Sequence, residues 1–585
     1  MRFRQYIFIF LAILLVFIPS VSAREIKIQV AVTSDIHARL FPYDLVNDLP
    51  IRNSMAHIHT LLSVARSRSG NNIILLDNGD LIQGTPAAYY ANFVQKSRHN
   101  LFSRIMNLMQ YDAAVVGNHD IEAGPEIYNR LKKEFRFPYL GANVINTQTG
   151  QPHFQPYTVI TRQGIRIAVL GLTTTGVPNW LPEHLWKGLE FQDMAIAAAY
   201  WVQVIKEKER PHAIVGLFHS GMGSANPDPS QFPLENASHF IARTVPGFDV
   251  IFTGHDHRER VETVMNTAGK EVLVIGPGSH AEKLGVAELT FNRLARNVFE
   301  ISDKKGELVN TSKVAPSQEF FVRFEKDINE IVAFANEPVG QLSNTLSSIE
   351  SLFGSAPFTD LVHHIQLKIT GADVSFTAPL SFNETLRAGN LRVRDFFKLY
   401  QYENYLYVME LTGMEIRNYL EFSYGIWLNQ MRNQEDHLLL FRFDEEGNPM
   451  VDAGGRHRLR HPAFNFDSAA GLRYTVDVSK PAGQRISIIS MEDGTPFDNE
   501  RKFRVAINSY RGSGGGGHLT QGAGIAHEKI RERITFTSEK DLRTELIKYF
   551  REEKVVNAKA RNNWHIIPAQ WAEQGRKKDI ELLNP

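Results

Sequence analysis

The chain has 585 residues, 43% hydrophobic and 22% charged, with equal numbers of acidic and basic side chains and no cysteine. That length is too great for one ordinary core and predicts two sizeable domains. Zero net charge supplies no global field to hold polymeric nucleic acid, and the lack of cysteine excludes disulfides and an acylated-cysteine anchor.

The N-terminus reads as a targeting segment. Arg2 and Arg4 precede an apolar run over 6–18, and Val21-Ser22-Ala23 closes it in small residues. This is the pattern of a cleaved secretory signal over 1–23. An uncleaved anchor is the alternative, but the run is shorter than the ~20 residues a spanning helix needs. The expectation is an exported, soluble, periplasmic protein with no stable membrane anchor. From 24 to 315, short β-branched runs at 28–32, 73–76, 113–116, 167–170, 214–218 and 250–252 alternate with amphipathic stretches such as 54–67 and 125–135. Pro125 suits the first position of the second of these helices. The runs read as strands buried on both faces, and the alternation as a layered α/β domain. Each polar cluster follows a strand, at the sheet edge where ligands bind. Residues 320–335 read as one helix with Phe321, Phe324, Ile328, Ile331 and Val332 on a shared face. It is taken as a linker over 316–338, the alternative being a packing helix of the first domain. A second region, 339–556, is expected to open with a helix and then to mix strands and helices, with helical pieces at 390–400 and 411–422. No assignment is made over the tail, 557–585. The run from Gly512 to Gly517 contains Gly-x-Gly-x-x-Gly, but no helix is expected to begin there. A close backbone approach to a ligand is therefore preferred to a dinucleotide fold.

The polar clusters carry the chemistry. Asp35 and His37 alternate along what reads as an extended segment, so both side chains face one way, and His255 and His257 repeat the device. Asp80 can bridge two cations with its two oxygens, Asn118 adds an uncharged oxygen, and His219 adds an imidazole. A nitrogen and oxygen set without thiolate favours two divalent ions such as Zn, Mn, Co or Fe. Paired metals acidify water and are a recurring device for hydrolysing phosphate esters. Each fragment alone is weak: Asp-x-His and Gly-Asn-His are usually turns, and a solitary His219 is more often structural. The ordered set of five, each after a strand, is what carries the reading. His57, His59, His212, His363 and His364 lack that context.

Asp35-Ile36-His37, Gly79-Asp80, Gly117-Asn118-His119, His219 and Gly254-His255-Asp256-His257 together resemble the calcineurin-like metallophosphoesterases. More closely, they resemble the 5′-nucleotidase / 2′,3′-cyclic-nucleotide 2′-phosphodiesterase family, over nearly all of the chain beyond the leader. The resemblance implies an α/β fold: a four-layer metallophosphoesterase β-sandwich flanked by helices, joined by a linker helix to a mixed α+β C-terminal domain of the 5′-nucleotidase type. It implies Asp35, His37, Asp80 and His257 around one metal, and Asp80, Asn118, His219 and His255 around the other. His119 becomes the catalytic histidine, donating to a phosphoryl or leaving oxygen. The family often orients that histidine with an acid three positions on. Glu122 stands there, and Asp120 is either a second acid or a loop hydrogen-bonder. Tyr402 and Tyr510 match the family's aromatic clamp, where each stacked base gains ~1–3 kcal/mol with little base preference. Asn118, Asn383, Arg387 and Arg511 are candidate polar partners of the substrate. Two positions depart from simple 5′-nucleotidases: Gly516 replaces an Asp, and Phe376-Thr377-Ala378-Pro379 replaces a Gly-Gly-x-Arg run whose arginine helps clamp a terminal phosphate. The glycine-rich run after Arg511 and Gly276-Pro277-Gly278 are closer to the cyclic-nucleotide branch. The resemblance thus implies hydrolysis of 2′,3′-cyclic nucleotides, with nucleoside monophosphates as a second activity, in nucleotide scavenging. Alternatives are a strict 5′-nucleotidase or UDP-sugar hydrolase and, from another class, a catalytically silent nucleotide-binding protein.

Overall fold

The structure, a computed structural model, describes residues 25–69, 72–452 and 455–584; the leader expected at 1–23 lies outside them. Two six-stranded sheets stack face to face in the first half. One runs Val298–Asn310, Lys283–Ala295, Ile26–Thr33, Ile73–Asp77, Ala113–Val115, Tyr139–Leu140, and the other Glu259–Met265, Glu271–Pro277, Val250–Thr253, Ala213–His219, Ile165–Thr173, Tyr157–Arg162. Alternation along each strand fills two cores at once. Ile28, Val30 and Val32 join Ile167, Val215 and Phe252 between the sheets, whereas Ala31 turns outward to the helices of the first sheet. Ile214, Phe218 and Ile251 pack outward against Met194–Lys208 and Ser238–Thr244. The order helix, sheet, sheet, helix gives four layers. Each fully buried aliphatic side chain contributes about 1.5–3 kcal/mol, which makes the sandwich rigid enough to hold precise loop geometry.

The helix Gln318–Ala335 carries Phe320, Phe324 and Ile331 into the first core, and Arg104 grips its Asp327 through bonds of 2.7 and 2.8 Å. Phe334, near its end, packs instead on the second half.

The second half is built on a five-stranded mixed sheet ordered Ser468–Ala470, Val374–Thr377, Lys502–Asn508, Tyr405–Thr412, Ile534–Asp541. Pro357–Thr370 and Leu542–Glu553 cover one face, Gly413–Trp427 the other. Three expectations change here. The region opens with a strand, Pro338–Leu342, not a helix: Pro338 and Gly340 to Leu342 pair with Gly389–Arg392, and Val339 and Leu342 are buried in the second half's core. The 390–400 segment is that strand followed by a short helix, Asp395–Leu399. The 411–422 helix runs instead over Gly413–Trp427, started by a capping box of Thr412 and Glu415. Residues beyond 556 are also structured: Trp564–Ile567 adds a parallel strand beside Leu472–Asp477, and Ala569–Leu583 docks through buried Asp579 and Leu583. No described helix is long and apolar enough to cross a membrane.

Candidate metal centre and nucleoside cavity

Parallel neighbours in each sheet end side by side, so the loops that follow them meet. Ile26–Thr33, Ile73–Asp77 and Ala113–Val115 are parallel neighbours, as are Ala213–His219 and Val250–Thr253. The loops beyond them bring two groups together: Asp35, His37 and His257, and Asp80, His219 and His255, the ligand atoms of each lying within 4.8 Å of one another. His219 Nε2 stands 2.9 Å from Asn118 Oδ1 and 3.1 Å from Asp80 Oδ2. His37 Nε2 and His257 Nε2 are 3.0 Å apart, and His257 Nε2 is 3.4 Å from Asp35 Oδ1.

The backbone that achieves this is not the extended alternation expected. Asp35, His37, Asp80, His255 and His257 all adopt left-handed φ between 47° and 68°. Each such residue is strained by roughly 1–3 kcal/mol, a load tolerated where surrounding structure over-determines it and function needs it. The surrounding structure is visible here. The Oδ atoms of Asp35 take the His255 amide at 3.0 and 3.1 Å, His37 N donates to Asp80 O at 3.0 Å, and Asp35 N to Gly79 O at 3.0 Å.

The donor set fits two divalent cations. A Cβ at Gly117 would lie 2.2 Å from Asp80 Oδ1, and one at Gly254 2.7 Å from Asp35 Oδ2, so glycine leaves these carboxylates the room they occupy. Two imidazole Nε2 atoms at van der Waals distance or closer, beside a fully buried carboxylate, make a cradle for a cation rather than an apolar contact. Burial drives the His37 imidazole down to about 3. Burial also acts against charging His219, but Asp80 outweighs it and holds this imidazole up at about 9.

His119 adjoins this centre. Its amide donates to Asp80 Oδ1 at 2.8 Å and its Nδ1 is hydrogen-bonded to Glu122. Burial opposes its charge, but the carboxylates of Asp80 and Glu122 prevail and raise it to about 10. The Asp120 carboxylate is turned to backbone amides, whereas the His119 ring is bonded to Glu122. Asp120 accepts the amides of Gly117 (2.8 Å), Asp80 (3.2 Å) and Leu81 (3.2 Å), the contacts of a loop hydrogen-bonder that clamps two ligand loops together.

Beside His119 opens a cavity of about 230 Å³ bordered by both halves of the chain: Asn118, Glu122, Trp180 and His255 on one side, Tyr402, Asn404, Phe464 and Tyr510 on the other. The Tyr402 and Phe464 rings meet edge to face, 6.1 Å apart. Trp180 stacks on His255 at 5.3 Å. His119 and Tyr402 also border a second cavity of about 470 Å³ with His37, His257 and His280.

The remaining substrate candidates are elsewhere. Asn383 is exposed and donates to Asn584 at 2.7 Å, and Arg387 is exposed; neither borders either cavity. Arg511 is 1% exposed and engaged on all sides by Asp467, Asn465, Phe464 O and Gly515 O, so it has no donor for a substrate. The glycine run likewise faces protein: a Cβ at Gly516 would fall 1.9 Å from Arg511 Nη1, and one at Gly515 2.7 Å from the Tyr510 ring. Sequence reasoning missed Phe464, Trp180 and His280. His280 follows the strand Glu271–Pro277 as the other histidines follow theirs, so the same signal was present. Trp180 ends the one-turn helix Val177–Trp180 and Phe464 lies in the short 3-10 helix Ala463–Asn465, both too short for a periodic pattern to mark them.

Residues 28–259 match the family model of the calcineurin-like phosphoesterase, and 334–522 that of the 5′-nucleotidase C-terminal domain. The chain is 28% identical over 94% of its length to the trifunctional nucleotide phosphoesterase protein YfkN of Bacillus subtilis, of which it spans 39%. It is 26% identical over 93% of its length to a 2′,3′-cyclic-nucleotide 2′-phosphodiesterase/3′-nucleotidase of Yersinia enterocolitica, spanning 88% of that protein. A Staphylococcus aureus structure described as a 5′-nucleotidase shares the fold at a TM-score of 0.74, with 20% identity over 92% of this chain and 99% of that one.

Proposed function

The chain belongs to the metal-dependent phosphoester hydrolases that join a calcineurin-like phosphoesterase domain to a 5′-nucleotidase C-terminal domain, and on that footing we propose that it is an exported 2′,3′-cyclic-nucleotide 2′-phosphodiesterase with nucleotidase activity. Asp35, His37 and His257, with Asp80, Asn118, His219 and His255, would hold the two divalent ions. Ions of that charge, when bound, acidify water and offset the charge that grows on phosphorus. The chain's own residues do the rest. Nδ1 of His119 is taken by Glu122, which leaves Nε2 to donate to a phosphoryl oxygen or to the departing ribose oxygen. Glu122 keeps the ring oriented and favours its protonated form. Tyr402, Phe464 and Tyr510 hold the base by its faces, and the cavity walls shed water from around the reacting bond.

One observation carries the choice of substrate. Among the described residues no lysine or arginine borders the aromatic cavity, whereas Arg39 and Lys398 border the second one beside His37, His119 and His257. The aromatic cavity therefore suits an uncharged nucleoside whose phosphate points to the metal-ligand candidates, while the cations at hand for phosphate oxygens stand in the second cavity. The segment where simple 5′-nucleotidases carry their clamping arginine is core here, with Phe376 stacked 4.0 Å from Tyr419. Turnover of 2′,3′-cyclic AMP, 3′-AMP, 5′-AMP and UDP-glucose by the metal-loaded protein tests the reading. Cyclic AMP should give the highest kcat/KM, and no cyclic hydrolysis would end the proposal. Export is tested by N-terminal sequencing of the mature protein, expected to begin at Arg24.

A further inference from the structure

The Arg511 guanidinium ties together the two segments that supply aromatic walls to the cavity. Its five N–H groups meet five acceptors. Nε and Nη2 straddle the Asp467 carboxylate at 3.1 and 3.2 Å, Nη2 also donates to Phe464 O at 2.9 Å, and Nη1 donates to Gly515 O at 2.7 Å and Asn465 Oδ1 at 3.2 Å. Phe464 is thus held by its own carbonyl. Tyr510 is held from the other side: it precedes Arg511, its ring lies 5.4 Å from that guanidinium, and it rests where a Cβ on Gly515 would be. Both charges are sealed, each side chain being 1% exposed. Burial works against ionising Asp467, yet the Arg511 charge and His518 hold its carboxyl below the ordinary range, and Tyr419 Oη also donates to it. A bidentate buried pair whose remaining donors are all satisfied is geometrically exacting, and its use is to fix conformation more than to add stability.

We propose that the Arg511–Asp467 pair is a positioning device that fixes two aromatic walls of the cavity for a flat base, Tyr510 directly and Phe464, which meets Tyr402 edge to face, through its carbonyl, with Gly516 as the glycine that makes room for it. The proposal rests on the reading of the cavity as a nucleoside site. Gly516 has φ +70°, and any side chain there would displace Arg511 Nη1. The glycine at 516 and the arginine at 511 are therefore a matched pair, and substituting either releases the same contacts.

The test is adenosine binding to the metal-loaded protein by calorimetry, beside kcat and KM for 2′,3′-cyclic AMP, in Arg511→Lys, Arg511→Met, Gly516→Ala and the Arg511→Met/Gly516→Ala double variant. Lysine keeps the charge against Asp467 but loses the fork, so it reports even where methionine fails to fold. Loosening one stack should raise the adenosine Kd and the KM about tenfold, with kcat and bound metal unchanged. The Met and Ala effects should not add, since both remove the same contacts. Unchanged adenosine affinity in Arg511→Lys and Gly516→Ala overturns the proposal, as does an equal fall in kcat with loss of metal, the mark of general damage. If the unaltered protein hydrolyses simple phosphate esters but neither binds adenosine nor turns over nucleotides, it is the nucleotide reading that fails instead.

Discussion

His119 is placed twice over, its backbone amide by Asp80 and its imidazole by Glu122, so a change at either acid reaches the same ring by different routes. Glu122→Gln preserves shape and removes charge. It should lower kcat about tenfold, whereas His119→Ala removes the proton donor and should lower it by about 10²–10⁴. In both variants metal analysis should still find two ions per chain; a loss of metal would mean that the ring or its partner is a ligand and not the proton donor and its support. Gly117 gives the opposite pattern. A methyl there intrudes on Asp80 Oδ1 at 2.2 Å, so Gly117→Ala should be purified with less than two ions and regain activity only in metal excess. Full occupancy in that variant would mean that the ions do not depend on Asp80.

The sandwich strands were legible because each is a short, continuous, β-branched run, and the centre was legible because every cluster follows one of them. What the sequence did not show was the conformation beyond the strand ends. Asp35 and His37 alternate in sequence, and period-two geometry would place them on one face, but left-handed φ at both residues performs that task instead. Polar loop residues carry no pattern from which such strain could be read. The strand Pro338–Leu342 was misread as helix for a related reason: its pairing partners lie at Gly389–Arg392 and Val555–Val556, and local propensity is silent on distant partners. Buried histidines of the second half make a prediction at this same scale. His363, on the helix Pro357–Thr370, bridges Ser375 of one strand at 2.9 Å and Ser468 of its neighbour at 3.1 Å. Burial, aided by Arg561, holds His363 down at about 3, and burial, aided by Arg511, does the same to His518. An unfolded histidine titrates near 6.5, so the unfolded chain takes up these protons first. The stability that both neutral rings permit is present above about pH 6.5 and is lost as pH falls toward 3, at roughly 1.4 kcal/mol per pH unit for each. Urea midpoints between pH 7 and 5 should therefore fall more steeply in the parent than in His363→Gln, and parallel curves would contradict the assignment.

Taken as one molecule, the two halves divide the labour unevenly. Every metal-ligand candidate belongs to the first half, while Tyr402, Phe464 and Tyr510 belong to the second. They are joined by polar contacts, Arg394 to Asp48 at 2.6 Å, Tyr89 Oη to Thr544 Oγ1 at 2.8 Å and Arg531 to Pro178 O at 2.9 Å, and by a small apolar patch in which Val46, Tyr89 and Phe334 pack on the second core and Tyr405 on the first. Exposed pairs of this kind contribute only about 0–1 kcal/mol each, and the apolar patch is small beside either core, so the two cores should unfold separately. Metal should then act on half of the molecule. A ligand present at a thousand times its Kd stabilises the part that binds it by about 4 kcal/mol. Calorimetry should show two transitions, and a chelator should lower one of them while leaving the other in place. Adenosine added with the chelator present should raise the unmoved transition, because the aromatic walls do not need the metals to form. A single transition that moves as a whole on chelation would show that the halves are thermodynamically one unit, and that the contacts between them are stronger than their number and exposure imply.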